Sequence, residues 1–393
     1  MNPYFAYSFS FFMAVAVYLL GWSEAYPPLT KSLLGFLLLT IAFHFTAGIF
    51  WRKASTRFPV RLNDDFNIIR ITLFIWILWI ADFTYEGGIP LFKILWNEPY
   101  NYRLFGIPTL HVFIVTFSSF YTIYLFHLFL STKRKFVLVI YILHLFAAIL
   151  IYSRAMFMFN LCASGFLFLW YKPKYVRYIL LIIPIVILLL YLFGAAGNMR
   201  VSREANSKYD SELFLQKGQA TNNFKESFIP NEFFWFYIYT SSPLANLQQN
   251  INNADRHVSW SWFFKMVNNE MIFNFISKRI NSIFGIPHPG EYTIEGPFNV
   301  STVYSRSFSH LSWTGMFVMA IFILVIPFIY RMFLSPAYLG SGLALLSTMF
   351  LFMAYDNTIS FTGLSFQLCY PLLFGWLEKK EIFSLRKATS YSS

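Results

Sequence analysis

The residues of this 393-residue sequence best suited to chemistry are arginines and histidines standing beside long apolar runs. Arg154, in Tyr152-Ser153-Arg154-Ala155, occupies a very short turn between two such runs. A permanent charge there needs water, a snorkelling path to the interface or an anionic partner. Arg200 and Arg203, three apart after a further apolar run, share a face if that helix continues outward. Guanidinium groups fork onto phosphate oxygens, so the pair suits a diphosphate; a solvated helix end is the plainer alternative. The run Asn299-Val300-Ser301-Thr302-Val303-Tyr304-Ser305-Arg306-Ser307-Phe308-Ser309-His310 sets a cation, several hydroxyls and an imidazole ahead of another apolar stretch. Imidazole titrates near neutrality, which suits His310 to deprotonating a sugar hydroxyl or to a structural place at the interface. Asp255-Arg256-His257 supplies a second imidazole. There is no GxSxG, HExxH, Walker loop or Asp-x-Asp, and Cys162 and Cys369 lie singly in apolar runs without CxxC spacing. A nucleotide-dependent or metal-dependent enzyme is therefore disfavoured, and no cofactor is expected. What remains is metal-free transfer of a group from an anionic leaving group, whose developing charge arginines would stabilise. A lipid diphosphate fits.

The elements that must position these residues follow from composition. With 57% hydrophobic, 22% aromatic and 12% charged residues, the chain lies outside the range of soluble domains. Apolar runs of spanning length recur, which predicts an all-α integral membrane bundle of about ten transmembrane helices. The runs lie near Pro3–Trp22, Lys31–Trp51, Phe66–Ala81, Thr109–Leu130, Phe136–Ile151, Ala155–Trp170, Tyr178–Ala196, Leu311–Tyr330, Leu339–Tyr355 and Leu364–Leu377. Loops after even-numbered runs carry Arg52, Lys53, Arg57, Arg61, Lys133, Arg134, Lys135, Lys172, Lys174, Arg177 and Arg331, and the tail carries Lys379, Lys380, Arg386 and Lys387. Positive charge resists translocation, so those loops and both termini are expected to be cytoplasmic. The opposite loops hold only Lys31, Lys93, Arg103 and Arg154. The net charge of +12 is mostly this topology signal plus attraction to anionic headgroups; membrane lipids, not nucleic acid, are the expected partners.

The chain divides into seven helices over 1–197, a long polar segment over 198–310, three helices over 311–377 and a tail over 378–393. In the polar segment acids nearly balance bases, and Phe233–Tyr239 and Trp262–Ile276 mix aromatic with polar positions. Both stretches read as interfacial helices or as helices packed on the bundle. His44, His127 and His144 lie in or near apolar runs without an acid nearby in sequence, which favours packing roles. No repeat and no buried midplane carboxylate marks a transporter.

Several short motifs resemble the O-antigen polymerases (Wzy), the repeat-unit polymerases of bacterial surface polysaccharide assembly. They are Glu86-Gly87-Gly88-Ile89-Pro90-Leu91-Phe92, Tyr102-Arg103-Leu104-Phe105-Gly106-Ile107-Pro108 through His111, Ser153-Arg154, Tyr239-Thr240-Ser241-Ser242-Pro243-Leu244-Ala245-Asn246-Leu247 and Asn299-Val300-Ser301-Thr302. Where that family often reads Asp-Phe-Gly-x-x-Gly entering the span after the long loop, this chain has His310-Leu311-Ser312-Trp313-Thr314-Gly315. His310 thus takes the acidic seat. The resemblance implies a GT-C-like bundle in the bacterial inner membrane, polymerising undecaprenyl diphosphate-linked glycans at the periplasmic face. A chain-length regulator and a flippase are partners it implies. Arg154, Arg200 and Arg203, with Arg279 or Arg306, are then expected on the diphosphate, and His310 or His257 as the base. The related O-antigen ligases use the same donor with another acceptor. They usually carry a His-Asn pair before the span that follows the long loop, and this sequence has none there. A non-enzymatic glycan carrier is the alternative from another class.

Overall fold

The computed structural model describes residues 1–54, 62, 68–96, 98, 105–174, 179–205, 207–255, 257, 259–286, 290–294 and 298–379. Arg57, Arg61, Arg103, Arg177, Arg256 and the tail cations Lys380, Arg386 and Lys387 lie outside them, as do the expected run starts at Phe66 and Tyr178.

The described chain is helical, and its one β-bridge joins Ser23 to Ala220. In order the helices are α1 (Pro3–Tyr18), α2 (Lys31–Ala54), α3 (Ile68–Tyr85), α4 (Pro90–Leu95), α5 (Leu110–Thr132), α6 (Lys135–Leu150), α7 (Arg154–Tyr171) and α8 (Ile179–Glu204). The polar segment adds α9 (Glu212–Lys217), α10 (Asn222–Lys225), α11 (Phe233–Asn253), α12 (Trp260–Met266), a π turn (Val267–Met271) and α13 (Asn274–Phe284). The remainder is α14 (Ser305–Phe333), α15 (Leu339–Phe352), α16 (Thr362–Ser365) and α17 (Cys369–Lys379). Starts are set locally. Asn2 accepts from the Tyr4 and Phe5 amides with proline at the first helical position of α1, and Ser153 accepts from the Met156 amide at the start of α7.

Among the described residues five helices are long and apolar enough to cross a membrane: Lys31–Arg52, Ile68–Tyr85, Leu110–Thr132, Ile183–Glu204 and Ser305–Phe333. Pro3–Tyr18, Lys135–Leu150 and Pro336–Phe352 are shorter apolar helices. The ten apolar runs therefore do not each give a full-length helix. The first turns at Gly21 in the left-handed region (φ +62), and a 3-10 turn at Phe366–Leu368 interrupts the last. Conversely α8 outruns its apolar stretch and carries Arg200 and Arg203 on its final turns.

The polar segment is a folded helical layer with a core of its own. Phe214, Phe224, Phe234, Trp235, Tyr237 and Phe298 pack there with Val17 of α1 and Val201 of α8. Phe233–Tyr239 is thus the start of a 21-residue helix whose Phe234, Trp235, Tyr237 and Ile238 are buried. That is the packed arrangement, not an interfacial one. Further along α11, Leu244, Ala245 and Leu247 enter the main core. Two buried asparagines one turn apart hold the chain that leads into α14. Asn246 Nδ2 donates to the Phe298 and Val300 carbonyls at 3.1 and 2.6 Å, and its Oδ1 accepts from the Ile294 amide at 2.9 Å. Asn250 bridges the Ser305 carbonyl (2.9 Å) and the Tyr292 amide (3.0 Å) in the same way. The layer is pinned to the α1–α2 connection by Trp22 N–Tyr237 Oη (3.1 Å) and Thr30 N–Gln248 Oε1 (2.9 Å), and to the α15–α16 connection by Asn274 N–Ser360 O (2.8 Å).

Trp235 is the post between α8 and this layer. Its ring stacks on Phe214 at 3.5 Å, its Nε1 donates to Asn198 Oδ1 at 2.7 Å, and only glycine at position 197 leaves room for it. Buried aromatic-to-alanine changes typically cost about 3–5 kcal/mol. Trp235→Ala is therefore expected to lower the thermal midpoint of the protein in detergent and to speed proteolysis after Glu204, whereas Phe228→Ala, at a side chain 98% exposed, should do neither.

Candidate functional site

The polar layer meets the start of α14 at a buried group of charges. α14 is broken at Leu311 (φ −143°, ψ 23°) and Ser312 (φ 52°, ψ −143°), so Ser305–His310 forms a separate short helix that ends on His310. Glycine at 315 permits the break, because a Cβ there would overlap the Ser307 carbonyl oxygen. A non-glycine residue at positive φ costs of order 1–3 kcal/mol and persists only where its surroundings impose it. From the other side, the π turn presents Asn268, Asn269 and Glu270, all buried. Such turns concentrate at functional positions.

Between these two irregularities His310 Nε2 lies 3.6 Å from Glu270 Oε1 and 3.4 Å from Asn269 Nδ2. His310 and Glu270 are both fully buried. Asn357, in the α15–α16 connection, donates its amide to the Glu270 carboxylate (3.0 Å) and to the Glu270 carbonyl (2.9 Å). Asn281 of α13 donates to Asn269 Oδ1 at 2.7 Å. Arg306, one turn before His310, donates to Asp356 Oδ1 at 2.8 Å and approaches Glu291 at 3.7 Å. Burial opposes ionisation of Glu270, but the His310 contact, the Arg306 charge and the Asn357 amide outweigh it and hold this carboxyl below its usual range. Burial pushes Glu291 the other way, with Arg306 only partly offsetting it. His310 Nδ1 and Glu270 Oε1 are buried without a hydrogen-bond partner. With Nε2 turned to the carboxylate, Nδ1 is the imidazole atom left to take a proton from an incoming hydroxyl. Glu270 would then stabilise the imidazolium that results.

The other residues singled out from sequence are placed as follows. His257 stacks face to face on Trp262 (4.0 Å, 7°), and Trp262 in turn lies 6.1 Å from His310, so one indole separates the two candidate bases. Arg279 is exposed on α13, its Nη1 donating to the Phe275 carbonyl at 2.9 Å. Arg200 faces Glu204 (3.7 Å) and the Trp235 ring. Arg154 and Arg203 are exposed and form no ion pair among the described residues. No contact among those residues joins Arg154, Arg200 or Arg203 to His310, whereas Arg306 belongs to its cluster and is already matched by carboxylates. His44 is stacked on Tyr7 at 3.8 Å and His144 packs on Tyr121 at 5.1 Å.

Sequence reading did not single out Glu270, Asn269 or Asn357. The available signal was three consecutive polar residues, Asn268-Asn269-Glu270, inside the aromatic stretch Trp262–Ile276, and Asp356-Asn357-Thr358 between two apolar runs. A second acid–imidazole contact was equally unremarked. Asp82, fully buried at the end of α3, lies 2.5 Å from His111 Nδ1 and accepts the Ile107 amide at 2.8 Å. Glu86 accepts the Gly106 amide at 2.8 Å. The end of α3 thus grips the chain entering α5. Among the described residues no group of three or more His, Cys, Asp or Glu is placed to hold a metal ion.

Fold and site define an all-helical protein with several helices able to cross a membrane and a folded polar layer that buries a histidine–glutamate pair. Comparison with protein-family models, with curated proteins and with solved structures gives no match.

Proposed function

We propose that the protein is a metal-independent glycosyltransferase of the bacterial inner membrane, a GT-C-like bundle of about ten spans with both termini cytoplasmic. Its reaction joins undecaprenyl diphosphate-linked repeat units into an O-antigen or a related surface polysaccharide at the periplasmic face. The observation that carries the reading is the buried contact between His310 and Glu270 in the layer through which an outward substrate would enter. His310 takes the proton of the acceptor hydroxyl. The alkoxide oxygen bonds to the anomeric carbon of the donor, and the bond from that carbon to the phosphate oxygen breaks. Undecaprenyl diphosphate leaves with the electron pair, its charge met by cations of the outward face. The motif resemblance supports the choice of substrate.

Deleting the gene and complementing it with wild type or with His310→Gln tests the reading in the cell. The expected result is loss of the lipopolysaccharide ladder to core plus a single repeat unit, restored by wild type alone. Core without any repeat would favour a ligase or a carrier, and an unchanged ladder in a cell without a separate capsule would overturn the surface-polysaccharide reading. Arg154→Lys is expected to lose most of the activity while inserting normally, because an ammonium cannot fork onto two oxygens. Full activity of that variant removes Arg154 from the site.

A further inference from the structure

Between the first turn of α5 and α13 lies a cleft of about 410 Å³, within the roughly 300–1,000 Å³ usual for small-ligand sites. One wall is aromatic, made by Phe113, Phe275 and Phe366. Phe366 stands edge-on to the other two, at 84° and 89°, with centroids 5.3 and 5.7 Å apart. Arg279 lies over the Phe275 ring at 5.7 Å, whereas Phe113 stays 38% exposed. The opposite rim holds Lys278 and Arg279, adjacent in sequence and both exposed. Among the described residues no carboxylate lines the cleft and neither cation forms an ion pair. Arg279 Nη1 donates to the Phe275 carbonyl at 2.9 Å, which fixes the guanidinium and leaves most of its fork unused. The hydroxyls of Ser282 and Thr109 complete the rim. Thr109 precedes α5, yet its side chain does not cap that helix. Its backbone sits at φ +71°, which a threonine keeps only where its surroundings impose it. Asp82 imposes it here, accepting the Ile107 amide at 2.8 Å and meeting His111 Nδ1 at 2.5 Å, so the chain is gripped on both sides of Thr109.

An open aromatic face bordered by fixed hydroxyls suits a pyranose, whose C–H face is apolar and whose rim is polar. Two uncompensated cations add a preference for negative charge, and the guanidinium fork matches a carboxylate. We infer that the cleft is a sugar subsite selecting an acidic sugar of the uronate type. Its ring lies on Phe113, its hydroxyls meet Thr109 and Ser282, and its carboxylate meets Lys278 and Arg279. The inference rests on the transfer reaction proposed above and adds the chemistry of one sugar of its substrate. That sugar is not the one that reacts. α13 turns another face to the His310 cluster, with Ser277 buried and Asn281 on Asn269, and a helix with its side chains is roughly 10–12 Å across. Phe113 stands in the opening turn of Leu110–Thr132, a helix able to cross a membrane. An acceptor with its terminal hydroxyl at His310 and its lipid in the bilayer has its inner sugars between the two, which is where the cleft opens.

Binding to the purified full-length protein in detergent tests this without turnover, with methyl β-D-glucuronide and methyl β-D-galacturonide as probes and the corresponding neutral glycosides as controls. At least one uronide should bind wild type about tenfold more tightly than its neutral counterpart, the scale of one hydrogen bond to a charged group. Lys278→Gln/Arg279→Gln should abolish that preference. Phe113→Ala should weaken acidic and neutral glycosides alike. All three side chains are exposed, so both variants should keep the wild-type thermal midpoint. No binding of either uronide, equal affinity for uronide and neutral glycoside, or a preference that survives in the double variant overturns the acidic-sugar assignment. Displacement of the uronide by equimolar inorganic phosphate, which would mark a bare anion site, or by phosphatidylglycerol, which would mark a headgroup site, overturns it too. Each of these results leaves the cellular ladder test of the transfer reaction intact. Uronide preference in a protein whose deletion leaves the ladder unchanged would instead retain the subsite and overturn that reaction.

Discussion

Replacing His310 by glutamine is expected to lower glycan transfer by roughly 10²- to 10⁴-fold, the contribution a positioned acid–base group usually makes, with little change in the affinity for donor lipid. His310 ends the short helix Ser305–His310, and its ring fills a fully buried site between α14 and the π turn. Glutamine retains a polar group that can still meet Asn269, so the layer should assemble and the variant should reach the membrane. The distinguishing readout is the pH–rate profile. A general base gives an acid limb, in which the rate falls as the imidazole becomes protonated, and that limb should vanish together with the rate. A purely structural His310 would leave the limb in place and change the thermal midpoint instead.

Glu270→Gln is expected to act on both rate and stability. A carboxyl held below its usual value in the folded state contributes stability that is present above its unfolded value near 4.5. That contribution is lost as pH falls through the folded value. The wild-type protein should thus lose stability in acid partly through Glu270, and the variant should lack this component, so that the two melting midpoints converge as the pH is lowered below 4.5. At neutral pH the variant forfeits the electrostatic contact of the carboxylate with His310 and weakens the hydrogen bond from Asn357; a hydrogen bond to a charged group contributes roughly 1.5–3 kcal/mol. Transfer should fall as well, since the imidazolium formed on proton abstraction would face a neutral amide. Midpoints that differ by the same amount at every pH would contradict the assignment of charge to Glu270.

Much of this architecture is legible in the sequence where the signal is local. Apolar length marks the crossing helices, and the i, i+3 spacing of Arg200 and Arg203 places them on one helix that does continue to Glu204. Motifs noted separately also turn out to be partners: Asn246 of one binds Val300 of another, and Glu86 of a third accepts the Gly106 amide of a fourth. Contacts between distant residues were not legible. Glu270 reaches His310 only because a π turn rotates three polar residues inward, and hydropathy carries no mark of one extra residue in a turn. The Ser312 kink is likewise set by close packing at Gly315, not by any proline at that point. The overrun of α8 depends on Gly194 and Gly197, where a side chain would overlap the Glu232 backbone or the Trp235 ring. Those glycines read as ordinary small residues of an apolar helix until α11 is laid against them.

The most direct test of the central claim is transfer by the purified protein, reconstituted in lipid, from a synthetic undecaprenyl diphosphate-linked repeat unit without metal or nucleotide. The account predicts a ladder of products with one undecaprenyl diphosphate released per step, lost in His310→Gln and in Glu270→Gln at neutral pH. Unchanged substrate with the wild-type protein, or an equal ladder with His310→Gln, would contradict it.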